Sequence, residues 1–200
     1  MSMHSYCFKL ATSPAELSGY FALRHSIFVD EQRLFHGGDV DGMDAIAYPI
    51  VALAAVDDTA ETQRHGEGKP LVLPLAHHPV LLTHCLQNSP VLGVVRIYEP
   101  EPGLWYGGRL GVHEAYRRAA RIGKGLIYKA VTTANTWGCD RFLATVQLQN
   151  VRFFQRQHWH SLEELSIHGL PHHLMEADLN HYPADTEQRP ALSTFVREAS

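Results

Sequence analysis

The chain has 200 residues, 45% of them hydrophobic, with 17 basic against 21 acidic side chains and a formal net charge of -4. That length and apolar content suffice for one well-buried domain, and the mild negative charge excludes the electrostatic footprint of a dedicated nucleic-acid binder. No stretch of about eighteen apolar residues offers a membrane span, and Met1-Ser2-Met3-His4 shows no basic region followed by an apolar run.

Cys7, Cys85 and Cys139 are widely spaced, odd in number and free of Cys-x-x-Cys spacing, so reduced thiols and a cytoplasmic location are expected. Tyr6 to Leu10 alternates as a first strand. Ser13-Pro14-Ala15-Glu16 then supplies a capping box with proline at the first helical position. Leu17, Tyr20, Phe21, Arg24, Ile27 and Phe28 recur at three- and four-residue intervals, so a helix should lay an apolar stripe on a core and end near Asp30. Gly37 to Gly42 is loop chemistry, and Pro49 to Val56 reads as a buried strand.

Residues 57–90 scatter Pro70, Pro74, Pro79 and Pro90 among four histidines and read as an insertion, with Leu81, Leu82 and Leu86 forming a short helix in a lid. Val91 to Tyr98 and Leu104 to Val112 are predicted as an antiparallel hairpin around Glu99-Pro100-Glu101-Pro102-Gly103. From Ile122 the residues Leu126, Ile127, Ala130, Val131, Ala134 and Trp137 fall on one helical face, closed by Gly138. A strand over Arg141–Leu148, a short helix over Asn150–Gln157 and strands over Trp159–Leu165 and His172–Leu179 complete one domain over residues 1–183. The polar tail, 184–200, is expected to be loosely held.

The segment from Leu110 to Leu126 is the most informative. An extended apolar run passes through Tyr116-Arg117-Arg118 into a helix that opens with Gly123 and Gly125. Free amides at a helix start, the helix dipole and nearby Arg118, Arg121 and Lys124 favour an anion there. Gly123-Lys124 is followed by Gly125, which leaves no hydroxyl for magnesium and disfavours a P-loop. A dinucleotide fold would need its glycine turn early in a repeated parallel unit, whereas this one follows a hairpin in mid-chain.

The element order, Leu110-Gly111-Val112, Tyr116-Arg117-Arg118, the turn through Gly125, and Asn150 with Phe153-Phe154 and Trp159 resemble the GNAT superfamily of acyl-CoA-dependent N-acyltransferases. Arg24, Phe28 and Glu31-Gln32, followed by Asp39, Asp41 and Asp44, resemble an ElaA-like subgroup, and Gly169 to Leu179 resembles GNAT domains of nitrilase-containing gene clusters. The resemblance implies a three-layer α/β/α, α+β fold with a mixed, mostly antiparallel sheet flanked by helices. It implies acetyl-CoA or another acyl-CoA as co-substrate, no metal, and a small-molecule amine as acceptor, with no nucleic-acid or membrane partner; homodimer formation stays open.

The resemblance also assigns cofactor contacts to Leu110, Gly111, Val112, Arg117, Arg118, Ala120, Arg121, Ile122, Gly123, Lys124, Gly125, Asn150 and Phe154. In Arg118-Ala119-Ala120-Arg121-Ile122-Gly123, Arg121 stands where the superfamily's turn has glycine; a register from Arg117 with Ala120 in that place fits equally. An amine needs a base, for which Glu31 is first choice, with Glu114, His113 and Glu176 behind it. Phe154 occupies the place of the tyrosine that protonates the leaving thiolate and cannot donate a proton; His158 and His160 are the nearest replacements. Two alternatives therefore remain: a non-catalytic acyl-CoA-binding module, and an acyl-homoserine-lactone-synthase-like enzyme using a longer acyl chain.

Overall fold

A computed structural model describes residues 5–56, 84–85, 89–119, 121–167 and 169–192. Strand β1 (Ser5–Leu10) leads into helix α1 (Pro14–His25) through the expected capping box: Ser13 Oγ accepts from the Glu16 amide at 3.2 Å, and Glu16 Oε2 accepts from the Ser13 amide at 3.1 Å. The helix then widens into a π-helical turn over Ser26–Glu31, closed by the Gln32 amide on the Ile27 carbonyl.

Strands β2 (Ala47–Val56), β4 (Val91–Glu101) and β5 (Leu104–Val112) precede helix α2 (Arg121–Thr136). Strand β6 (Arg141–Gln147), helix α3 (Val151–Gln155), β7 (Trp159–Ile167) and β8 (Leu170–Ala177) follow. Gly138, at φ +88°, ends the α2 segment as expected of a C-terminal glycine. The sheet order is β1-β2-β4-β5-β6-β8-β7; β5 and β6 pair parallel and every other neighbouring pair antiparallel. This is the mixed, mostly antiparallel sheet anticipated from the sequence.

Two apolar layers sandwich that sheet. Tyr20, Leu23, Ile27 and Phe28 pack with Val51, Leu53 and Val94 on one face. On the other, Ile122, Leu126, Ile127, Val131 and Ala134 pack against Ile50, Trp105 and Phe142. The helix and lid expected around Leu81, Leu82 and Leu86 lie outside the described residues; within that insertion His84–Cys85 form a short strand, β3, on β2.

Two expectations need correction. Cys7 is disulfide-bonded, so the chain does not carry three reduced thiols; Cys139 is free and buried. The described part of the tail, 184–192, is anchored, because its polar residues find specific partners. Arg189 lies 4.9 Å from the Trp105 ring and ion-pairs with Glu99 at 2.6 Å, while the Glu187 carbonyl accepts from Trp137 Nε1 at 2.8 Å. Among the described residues no helix is long and apolar enough to cross a membrane.

A buried charge network fixes the 32–46 loop to the sheet. Arg24, fully buried, donates to Asp39 Oδ2 at 2.7 Å, Asp44 Oδ1 at 2.6 Å and the Asp39 carbonyl at 3.0 Å. Arg96 grips Asp41 through two 2.7 Å bonds, and Arg109 reaches Asp41 at 3.0 Å and the Asp39 carbonyl at 2.9 Å. Burial alone would raise the Asp41 and Asp44 carboxyls, but hydrogen bonds and charge from Arg96 and Arg24 outweigh it and hold both below the ordinary value.

Removing one partner leaves the others buried and unmatched, so Arg24→Met should cost about 3–5 kcal/mol of stability in denaturant unfolding. Because the Asp41 and Asp44 values are depressed, their contribution is present above the unfolded value. Thermal stability should therefore fall as the pH drops below about 4, and less steeply in the Asp41→Asn variant.

Candidate functional site

Strands β5 and β6 share four register pairs, from Leu104 with Arg141 to Gly107 with Ala144, and then separate. On its other side β5 is irregular: Val94 pairs with Gly111 and Arg96 with Gly108, so Val95 faces two residues, Arg109 and Leu110. Arg109 takes φ +54° to accommodate this bulge. The bulge therefore removes Leu110 from the β4 ladder at the point where β6 has already turned away.

The gap opens into two joined cavities. The first, about 580 Å3, lies between the π-helical turn, the end of β5, the start of α2 and α3; Glu31, Val112, Tyr116, Arg117 and Gly123 line it. The second, about 490 Å3, is bordered by Phe35, Asp41, Arg96, Tyr98, Arg109 and His172. Gln32, Leu34, Leu110, Gln147, Asn150 and Phe154 belong to both.

The residues expected at the cofactor divide into four groups. Leu110, Gly111, Val112, Arg117, Gly123, Asn150 and Phe154 line the first cavity. Arg118, Arg121 and Lys124 stand exposed at the entry to α2 and make no hydrogen bond or ion pair among the described residues. Ile122 is buried in the core, and Gly125 turns its bare face to β1, where a Cβ would overlap the Phe8 ring. Packing against Phe8 accounts for a glycine at that position. Ala120 lies outside the described residues.

Glu31 and Arg117 form a bidentate pair, both bonds 2.6 Å, and Arg117 Nε donates to the Val112 carbonyl at 2.7 Å. The guanidinium beside Glu31 lowers its carboxyl below the ordinary value, the wrong direction for a base. His113 and Glu114 are exposed and line neither cavity. Glu176 pairs with Arg141 at 2.8 Å and lies 3.4 Å from His160, also away from both cavities. His158 stacks on His181 with ring centroids 3.6 Å apart. Phe154 is buried and meets Trp159 edge-on, its centroid 5.1 Å away.

Sequence reasoning passed over His172 and Tyr116 as site groups. His172 Nδ1 lies 2.8 Å from the Leu170 carbonyl, which can only accept, so Nδ1 carries a proton and in the neutral ring the lone pair lies on Nε2. Strand alternation separates His172 from His173 onto opposite faces, but only the pairing of Gln147 with His172 shows which face meets the cavity. Tyr116 is the hydroxyl-bearing side chain of the first cavity among the described residues.

The acetyltransferase (GNAT) family model matches residues 52–159. Among solved structures, Escherichia coli ElaA is 20% identical, with 88% of this chain and 100% of that one covered at a TM-score of 0.61. An acyl-CoA N-acyltransferase from Pseudomonas aeruginosa is 18% identical, with coverage of 87% and 99% and a TM-score of 0.60. An acetyltransferase from Streptococcus agalactiae is 12% identical, with coverage of 86% and 97% and a TM-score of 0.53. No curated protein matches the chain in sequence. With more than half of the chain matched by the family model, this protein belongs to the acetyltransferase (GNAT) family.

Proposed function

We propose that this protein transfers an acetyl or other short acyl group from coenzyme A to the amine of a small-molecule acceptor by direct attack. The opening of β5 from β6 into two joined cavities, one flanked by unpaired cations at a helix start, supports this reading most strongly. Arg118, Arg121 and Lys124 with the first amides of α2 suit a pyrophosphate. The Leu110 amide, outside both strand ladders, is placed to polarise the thioester carbonyl, a contribution on the order of 3 kcal/mol. Neither serine nor cysteine lines the cavities among the described residues, which favours direct attack over an acyl-enzyme.

His172 Nε2 takes a proton from the acceptor ammonium, and the freed nitrogen lone pair attacks the thioester carbon. The carbon–sulfur bond then breaks, the departing thiolate takes a proton from Tyr116, which replaces the tyrosine absent at Phe154, and the surplus proton of the new amide nitrogen passes through solvent to the Tyr116 phenolate. Glu31 acts as a positioning residue: its pair with Arg117 ties the π-helical turn to the end of β5.

Arg118→Ala with Arg121→Ala should weaken coenzyme A binding by roughly 1–3 kcal/mol in calorimetry, and unchanged affinity removes both from the site. His172→Gln should lower kcat about 10²- to 10⁴-fold and flatten the acidic limb of its pH profile; an unchanged kcat excludes His172 as the base. A second reading, a non-catalytic acyl-CoA-binding module, draws on the buried phenylalanine at position 154. Tight coenzyme A binding without thiol release across an amine panel would select it.

A further inference from the structure

Arg96 and Arg109 form one wall of the second cavity, where β4 passes the β5 bulge. Arg96 is 4% exposed and spends both terminal nitrogens on Asp41, with Nη1 also 2.9 Å from Asp44. Its Nε–H is buried and has no hydrogen-bond partner among the described residues. A buried donor left unmatched is costly, and native interiors rarely leave one empty. The strand residue opposite is Gly108, which also lines the cavity; a Cβ there would stand 3.4 Å from Arg96 Nε, so glycine leaves no side chain between that nitrogen and the cavity. Arg109 uses Nε and Nη2 on Asp39 and Asp41, while its Nη1 makes no hydrogen bond among the described residues. Asp41, the carboxylate on this wall, is already engaged by both arginines.

We propose that the acceptor amine carries a carboxylate, held by Arg96 Nε and Arg109 Nη1, so that the substrate class is amino-acid-like, an inference that rests on the acyl-transfer reading. Arg109 immediately precedes Leu110, one of the residues shared by both cavities, so a carboxylate held there leaves a nearby amine beside the thioester. Burial, followed by the charge of Arg96, lowers the Arg109 value, and an added anion would counter the charge of Arg96.

The test compares free amino acids with their decarboxylated amines, using thiol release from acetyl-CoA. The acids should show kcat/KM higher by about tenfold or more, because the decarboxylated amine leaves both donors unmatched. Arg109→Met should bring that ratio towards one, and Arg109→Lys should restore part of it. Gly108→Ala, which covers Arg96 Nε with one methyl and leaves the arginines in place, should also reduce the ratio. Equal use of acids and amines by the unaltered protein overturns the proposal. If no amine is acylated, the acyl-transfer reading fails separately. Calorimetric binding of the same pairs in the presence of coenzyme A then decides the carboxylate site, and equal affinity for acid and amine overturns it.

Discussion

The short parallel contact between β5 and β6 governs the architecture of the site. Four register pairs hold the strands together as far as Gly107 and Ala144, and beyond them the sheet opens. An opened sheet exposes backbone amides that would ordinarily be paired, a cost unless something else meets them. The bulge at Arg109 and Leu110 breaks the register of β5 with β4 at the same point. The same opening lets residues from the two helical layers line one continuous space, as Phe28 and Ile127 do in the second cavity.

The network of Arg24, Arg96 and Arg109 with Asp39, Asp41 and Asp44 gives that space its rigid rim. Three cations and three anions balance in charge, and each aspartate answers two arginines, which makes their burial tolerable. Earlier in the loop that carries the aspartates, Leu34 and Phe35 pack against the core, while Val40 and Met43 beside the aspartates are exposed. The aspartate stretch is therefore held chiefly by charge pairing with α1, β4 and β5. The Glu31–Arg117 pair ties the first cavity in a similar way, at a solvent-exposed position where charge pairing is weaker.

Much of the fold was legible because its signals are local. The Ser13–Glu16 capping box, the apolar stripe of α2, Gly138 beyond its end and the alternation of the hairpin strands each report on a few neighbouring residues. The site was legible only in part. Leu110, Gly111, Val112, Arg117 and Gly123 could be placed at the groove because they are consecutive or nearly so around one turn. His172 could not, since its place at the second cavity depends on β8 pairing with β6. Gly125 shows the converse: its need for a bare Cα face comes from Phe8, more than a hundred residues earlier. The anchored tail escaped prediction because the aromatic partners of Arg189 come from β2, β5 and the end of α2.

By itself the sequence determined most of the elements, their order and the basic helix start, because periodicity, capping and turn chemistry act over a few residues. The tertiary structure alone decided which charges are free and which are spent. Arg117 and Glu31 cancel one another across 86 positions, while Arg118 and Arg121 stand unpaired, and Arg96 keeps one buried donor open. Whether a side chain binds a ligand or a neighbour depends on what the fold brings within about 3 Å of it, and no local pattern encodes that distance.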